Sequence, residues 1–279
     1  MFFSGICDEA GNTIDVQIKA HRELRWKFME LRLIDGQNFT MVSDEVFEDI
    51  YRKICEAGMS VSCFASAIAN WARPITCDPQ IDQDDLKHAI PRMHRFGTRF
   101  IRVMSYPNDV DRPVPENTWR LESIRRMKDL AKIAEDGGVT LLHENCSGWG
   151  GLSAENSRIL LGEVNSPALK LVYDTGNPVT YGQNAWEYYK RVLPDIVYVH
   201  IKDARKIDGK DVYTYPGEGS GFVKEILRDL LAKGYDGGFS IEPHLAAIIH
   251  TGDMADNEAK LYDSYVEYGR RLIRIFQDL

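Results

Sequence analysis

Residues 121–145 read LESIRRMKDLAKIAEDGGVTLLHEN. In the first half, Leu121, Ile124, Met127, Leu130, Ala131 and Ala134 recur at helical spacing, and Gly137-Gly138 ends the run. VTLLHEN, from Val139, follows as a short apolar run, the pattern of a parallel strand covered on both sides. It closes on Glu144, a carboxylate set directly after buried residues. Helix, glycine stop, buried strand and terminal acid form one unit, and that unit recurs along the chain.

Outward from this stretch, seven more apolar runs have the same length and character. They are FFSGIC from Phe2, FMELRLI from Phe28, SVSCFAS from Ser60, RFIRVMS from Arg99, LKLVYDT from Leu169, IVYVHIK from Ile196 and GFSIEPH from Gly238. Amphipathic stretches lie between them. Val46, Phe47, Ile50, Tyr51, Ile54 and Cys55 form one stripe behind Ser43 as N-cap. Phe222, Val223, Ile226, Leu227, Leu230 and Leu231 form another, and a last helix runs from about Asn257 to Phe276. Weaker patterns cover 14–24, 84–96, 153–162 and 184–193. Strand then helix, eight times, predicts an α/β fold, a single (β/α)8 TIM barrel spanning residues 1–279. An open doubly wound sheet would bring a glycine-rich phosphate turn after the first strand, whereas this turn is DEAGN.

Composition agrees. The 279 residues over eight units give about 35 each, the size of a βα repeat. Hydrophobic residues make up 44% and charged residues 27%, which excludes a disordered chain. No apolar run approaches the ~20 residues of a membrane span, and the start, MFFSGICDEAG, lacks the basic region of a secretory signal. The formal charge of −8 argues against nucleic acid as a partner. Five cysteines without a CxxC read as reduced thiols of a cytoplasmic protein.

In a barrel the C-terminal strand ends carry the chemistry. Four successive strands end His143-Glu144-Asn145, Asp174-Thr175-Gly176-Asn177, His200-Ile201-Lys202-Asp203 and Glu242-Pro243-His244. Charges placed directly after apolar runs cost several kcal/mol unless compensated. Four salt bridges at separate strand ends would compensate them one by one, but a shared divalent cation explains why the four strands are adjacent. Glu144, Asp174, His200 and Glu242 offer three carboxylates and one imidazole, an oxygen-rich set for Mn²⁺, with Mg²⁺ or Co²⁺ as alternatives.

These residues carry a resemblance across the whole chain. LLHEN around Glu144, LVYDTGN around Asp174, VYVHIKDAR around His200 and SIEPH around Glu242, spaced by 30, 26 and 42 residues, resemble the xylose isomerase-like barrels, the sugar phosphate isomerase/epimerase family. The resemblance is to ketose 3-epimerases in particular. It implies that Glu144, Asp174, His200 and Glu242 hold one metal, and that Glu144 and Glu242 form the catalytic acid/base pair. It also implies that an arginine in the loop after His200, here Arg205, contacts a sugar substrate. Two positions depart from the epimerase pattern: Asn177 stands where a histidine is common, and CSGWGG after Glu144 lacks an acid. The leading expectation is a sugar isomerase or epimerase working through an enediolate. A dehydratase or lyase on a keto-sugar or keto-inositol is the alternative, a DNA-repair endonuclease of the AP type a minor one, and a non-enzymatic binding barrel the last.

Around this core, Glu30 and Arg32 share one face of the second strand. Arg102 interrupts an apolar run and is expected to point inward to substrate. Lys202 is expected to point away from the rim-facing residues, or to pair with Glu30 or Asp203 as scaffolding. Trp71 and Trp149 are candidates for stacking on a sugar, and Glu218 in YPGEGSG is a candidate acceptor for hydroxyls. The acid in that turn favours an unphosphorylated substrate. His244 and His250 are candidate ligand contacts, and His143 is read as structural. Cys7, Phe64 and Met104 are expected to line the barrel or pocket floor. Tyr262, Tyr265 and Tyr268 in the last helix could serve a homo-oligomer surface or wrap the barrel.

Overall fold

The structure is a computed structural model that describes residues 1–248, 253–254 and 258–279. Eight strands alternate with eight main helices. In chain order they are β1 (Phe2–Gly5), α1 (Ile14–Glu23), β2 (Phe28–Leu31), α2 (Asp44–Glu56), β3 (Ser60–Ala65), α3 (Gln80–Phe96), β4 (Phe100–Ser105), α4 (Glu116–Asp136), β5 (Thr140–Gly148), α5 (Ala154–Val164), β6 (Leu169–Asp174), α6 (Ala185–Val192), β7 (Ile196–Ile201), α7 (Val223–Ala232), β8 (Gly238–Ile241) and α8 (Glu258–Asp278). Every strand pair in the barrel sheet is parallel, and neighbours in the sheet are neighbours in sequence, with β8 beside β1. The parallel bridge Ile6–Glu30 joins β1 to β2 and closes the ring. This is the (β/α)8 barrel read from the sequence.

Local signals account for the helix starts. Ser43 Oγ accepts from Val46 N at 3.3 Å, and Thr13, Ser153 and Asn184 cap α1, α5 and α6 in the same way. Four stripe members lie outside the buried face: Val46, Leu121 and Phe222 are 41%, 58% and 39% exposed, and Cys55 is exposed as well.

Strand alternation decides what faces the barrel axis. Leu171, Tyr173, Val199, Ile201, Phe239 and Ile241 point outward and pack under the helices. Their neighbours Val172, Asp174, Tyr198, His200, Ser240 and Glu242 therefore point inward. Leu142, Val172 and Tyr198, with Phe2 and Phe100 from the strand starts, plug one end of the interior. The inward residues at the other end are polar.

Two expectations for the barrel lining are corrected. Phe64 faces outward, its ring 5.0 Å from Phe39 and 6.0 Å from Phe96. A register shift against β2 inserts one residue near Ser62, which flips the face of everything after it. Cys7 lies in the turn after β1, with Sγ 3.4 Å from His21 Nε2, and does not line the cavity. Tyr265 and Tyr268 of α8 are buried against the chain's own barrel, while Tyr262 bonds Glu23 at 2.6 Å. His250 lies outside the described residues. Among the described residues, no helix is long and apolar enough to cross a membrane.

Candidate metal centre

Glu144, Asp174, His200 and Glu242 meet at the polar end of the barrel. Each is buried, and one ligand atom from each lies within 4.8 Å of the others. The register explains this: Asp174 and His200 are direct partners on β6 and β7, while Glu144 and Glu242 end the inward rows of β5 and β8.

Each side chain is held by named neighbours. Asp174 Oδ1 accepts from the N–H groups of Gly176 (2.8 Å) and Asn177 (2.6 Å), which leaves Oδ2 turned toward Lys202 and the site. Asn145 clasps the Asp174 backbone from both sides, at 2.7 and 2.9 Å. His200 Nε2 lies 3.1 Å from Glu30 Oε1. With the ring proton on Nε2, the Nδ1 lone pair points between Glu144 Oε1 and Glu242 Oε2, 3.5 Å from each. Nδ1 has no hydrogen-bond partner. A metal-binding histidine has this form, one nitrogen free and the other bonded to a carboxylate.

Cations buttress the carboxylates. Arg102 Nη1 donates to Glu144 Oε2 at 3.1 Å, and Asn177 Nδ2 donates to Oε1 at 3.2 Å. Arg32 Nη1 donates to Glu242 Oε1 at 3.0 Å, and Lys202 Nζ donates to Oε2 at 3.1 Å. Lys202 Nζ is also 3.0 Å from Asp174 Oδ2. Burial pushes the Glu144 carboxyl up, but Arg102 and His200 together outweigh it and the group falls to about 2. Glu242 is likewise held well below its usual range: burial opposes, and Lys202 and His200 prevail. Burial, aided by Glu242 and Glu144 against Lys202, raises Asp174 to about 6.

The charge count tests whether a cation fits. Asp8, Glu9, Glu30, Glu144, Asp174 and Glu242 are six buried acids in this region, against Arg32, Arg102 and Lys202. Six against three leaves −3 before any histidine is protonated. A divalent ion among the four ligand groups offsets most of that surplus, so the donor set fits one.

Above these groups opens a cavity with about 740 Å³ of empty space, counted out to its mouth. Of the candidates, Trp71, Arg102 and His244 line it with Glu144 and Glu242, and Met104 joins them as expected. Glu9 receives both His244 N (2.7 Å) and Nδ1 (2.9 Å), which fixes the ring at the wall.

Three candidates lie elsewhere. Trp149 is buried outside the cavity, with Nε1 donating to Glu116 at 2.7 Å. Arg205 stands on the hairpin of Asp203–Ile207 and Lys210–Thr214, paired with Val212. Tyr213 and Asp211 on alternate positions face the cavity, so Arg205 points the other way, into solvent. Glu218 pairs with Arg271 at the surface. Its glycine turn is instead filled by Asp203, whose carboxylate accepts from the N–H groups of Gly217 (2.8 Å), Gly219 (2.9 Å) and Gly221 (2.9 Å).

Lys202 is the main correction. It points into the site, because two residues past His200 on one strand is the same face. Glu9 and Tyr181, placed by connections without a period, and Tyr213, on the short hairpin after β7, also join the site. His143 is structural as expected: Nε2 meets Ser105 Oγ at 3.0 Å, and burial lowers the ring to about 4.

Known proteins share this architecture. An inosose dehydratase of Clostridium botulinum (strain Alaska E43 / Type E3) is 27% identical over 176 residues, covering 54% of this chain and 59% of that protein. The match thus spans about three-fifths of the relative's length. The probable 3-DHS dehydratase AsbF of Bacillus anthracis superposes with a TM-score of 0.74 at 16% identity, over 98% of this chain and 99% of that one. A D-allulose 3-epimerase from Methylomonas sp., solved with D-allulose, gives 0.72 at 17% identity, over 99% and 96%. The family described as xylose isomerase-like TIM barrel matches residues 18–265, nearly the whole ring of strands built above, and the chain belongs to that family.

Proposed function

We propose that residues 1–279 form one catalytic barrel whose enzyme uses a divalent metal to remove a proton beside the carbonyl of an unphosphorylated keto-sugar or keto-cyclitol. The observation that carries this reading is the pair of buried glutamates flanking the free Nδ1 of His200, 3.5 Å from each. A divalent ion, Mn²⁺ before Mg²⁺ or Co²⁺ for this donor set, would supply Lewis-acid stabilisation of the oxyanion that forms. Glu144 and Glu242 are both ionised, so either can serve as the base that takes the proton from carbon. Arg102 and Arg32 hold the two carboxylates in place while the substrate binds. The internal carboxylate of Asp203 occupies the glycine turn that would otherwise receive a phosphate.

Returning the proton to the opposite face completes an isomerisation or epimerisation, with Glu144 and Glu242 exchanging roles as base and acid. A second outcome is dehydration, and Lys202 favours it. Burial works against its charge, but Asp174 and Glu242 keep it an ammonium inside the cavity. In that outcome the enediolate electrons expel the β-hydroxyl, and Lys202 gives its proton to make water. The dehydratase names among the relatives agree with this second outcome.

The two outcomes separate in D₂O. Mn²⁺-loaded protein is incubated with a panel of ketoses, keto-sugars and inososes and followed by NMR and mass spectrometry. Deuterium entering carbon with the formula otherwise retained supports epimerisation. Loss of water supports dehydration. Neither change across the panel sinks the proposal.

A further inference from the structure

The cations around the ligand groups divide by the oxygens they hold. Arg102 takes Oε2 of Glu144, and Arg32 takes Oε1 of Glu242. The other two oxygens, Glu144 Oε1 and Glu242 Oε2, are the ones beside His200 Nδ1. Lys202 sits on that inner side. Its Nζ is 3.1 Å from Glu242 Oε2 and 3.0 Å from Asp174 Oδ2. Asp174 Oδ1 is already taken by two backbone N–H groups, so Oδ2 is the oxygen it has left for an ion. Two of the three carboxylate oxygens facing the site thus rest on one ammonium. The third, Glu144 Oε1, rests on the neutral amide of Asn177.

Lys202 is anchored at its base and has room at its head. Thr175 Oγ1 accepts from Lys202 N at 3.1 Å and donates to Lys202 O at 2.6 Å, which pins the backbone from both sides. The start of the side chain lies against Gly176, where a Cβ would come within 2.7 Å of Lys202 Cγ. Lys202 also lines the cavity. An ammonium on a four-carbon stem has three rotatable donors, so it changes acceptors by turning. The forked guanidinium groups of Arg32 and Arg102 are bound to fixed geometry. Two cations that share the same oxygens repel each other, and burial strengthens that repulsion.

We infer that Lys202 is a tethered counter-ion of Asp174 and Glu242, which a divalent ion displaces toward the cavity. Metal uptake and release of the ammonium are then one linked event. Lys202 keeps metal affinity below what the four ligand groups would give without it, and it brings an acid to the cavity only in a loaded site. This rests on the proposed function in one respect, that the ion binds those four groups.

Lys202→Met keeps the length of the stem and removes its charge. In calorimetric titration with Mn²⁺ the variant is expected to bind more tightly than wild type, by about tenfold or more. A residue that only props up the site predicts weaker binding. Equal or weaker binding by the variant overturns the inference. The variant leaves two buried carboxylates without their cation, so a second measurement uses wild type and holds even where the variant does not fold. Labelling of Lys202 by acetic anhydride is read by mass spectrometry against the exposed Lys132. It should rise several-fold when Mn²⁺ replaces chelator, and labelling that stays level or falls also overturns the inference. The two readings fail separately. Mn²⁺ taken up by the variant and not by wild type supports the tethered ammonium and sinks the metal-dependent reaction. Equal uptake removes the part given to Lys202 and leaves the reaction, and uptake by neither sinks both.

Discussion

His200 and Glu30 meet at 3.1 Å across the barrel, through Nε2 and Oε1, and this bond sets which nitrogen of the imidazole is left for a ligand. Glu30 does not line the cavity and meets the opposite ring nitrogen from the two carboxylates beside Nδ1, so its part in the site is to orient the ring. Glu30→Gln is expected to lower Mn²⁺ affinity by about 10–100-fold with the fold retained. Calorimetric titration of metal, with the melting temperature as control, measures it. Unchanged affinity would remove Glu30 from the site.

Glu144→Gln and Glu242→Gln keep an oxygen near the ion and lose the base. Each is expected to reduce the rate of solvent deuterium exchange into a keto substrate by about 10²–10⁴-fold. Metal content, read by elemental analysis, separates loss of the base from loss of the ion. A variant that keeps both its metal and its exchange rate is not part of the acid/base pair.

The surplus of six buried acids over three bases predicts that metal stabilises the fold as well as the reaction. Free Mn²⁺ at about a hundred times its Kd contributes about 2.7 kcal/mol. The melting temperature of chelated protein should rise by several degrees when Mn²⁺ is restored. Thermal scans over a metal series check this, and identical curves with chelator and with metal contradict it.

His21 predicts a pH dependence away from the metal centre. Its ring is buried under α8, with Nδ1 2.7 Å from Phe28 O and Nε2 2.9 Å from Tyr265 OH. Burial lowers it from 6.5 to about 4, against a smaller opposing effect of the Phe28 carbonyl. Between those values the unfolded chain binds a proton and the folded one does not, so stability falls as pH falls from about 6.5 to about 4. The loss from this group amounts to about 3 kcal/mol. Urea unfolding at pH 7, 5.5 and 4.5 should show that slope, and it should flatten in His21→Asn. A slope unaltered by the substitution assigns the loss to other groups.

All eight strands were legible because parallel strands covered on both faces must be apolar throughout, and little else in a sequence is. The clustering of Glu144, Asp174, His200 and Glu242 was legible for the complementary reason, that a charge after such a run stands out. Lys202 was open to the same reading, since alternation puts it on the face of His200, but a third charge on one strand end looked like scaffolding. Phe64 could not be placed, because the extra residue near Ser62 shows only in the register with β2. Trp149 and Glu218 sit in connections without a period, while Arg205 lies on a hairpin strand whose alternation turns it to solvent. Their partners, Glu116 for Trp149 and Arg271 for Glu218, come from distant segments that only the folded chain brings near.

Glu30 has a second duty. β1 and β2 join through the single bridge Ile6–Glu30, whereas the other neighbouring strands share three to five residue pairs. The hoop of strands is buckled at the residue whose side chain steers His200. Glu30 therefore sits both at the weakest seam of the ring and against the imidazole of His200. Mn²⁺ should slow amide hydrogen exchange at Ile6 and its neighbours more than along β5 and β6, where the hoop is already continuous. The ion would then act as a fastener for the whole ring of strands.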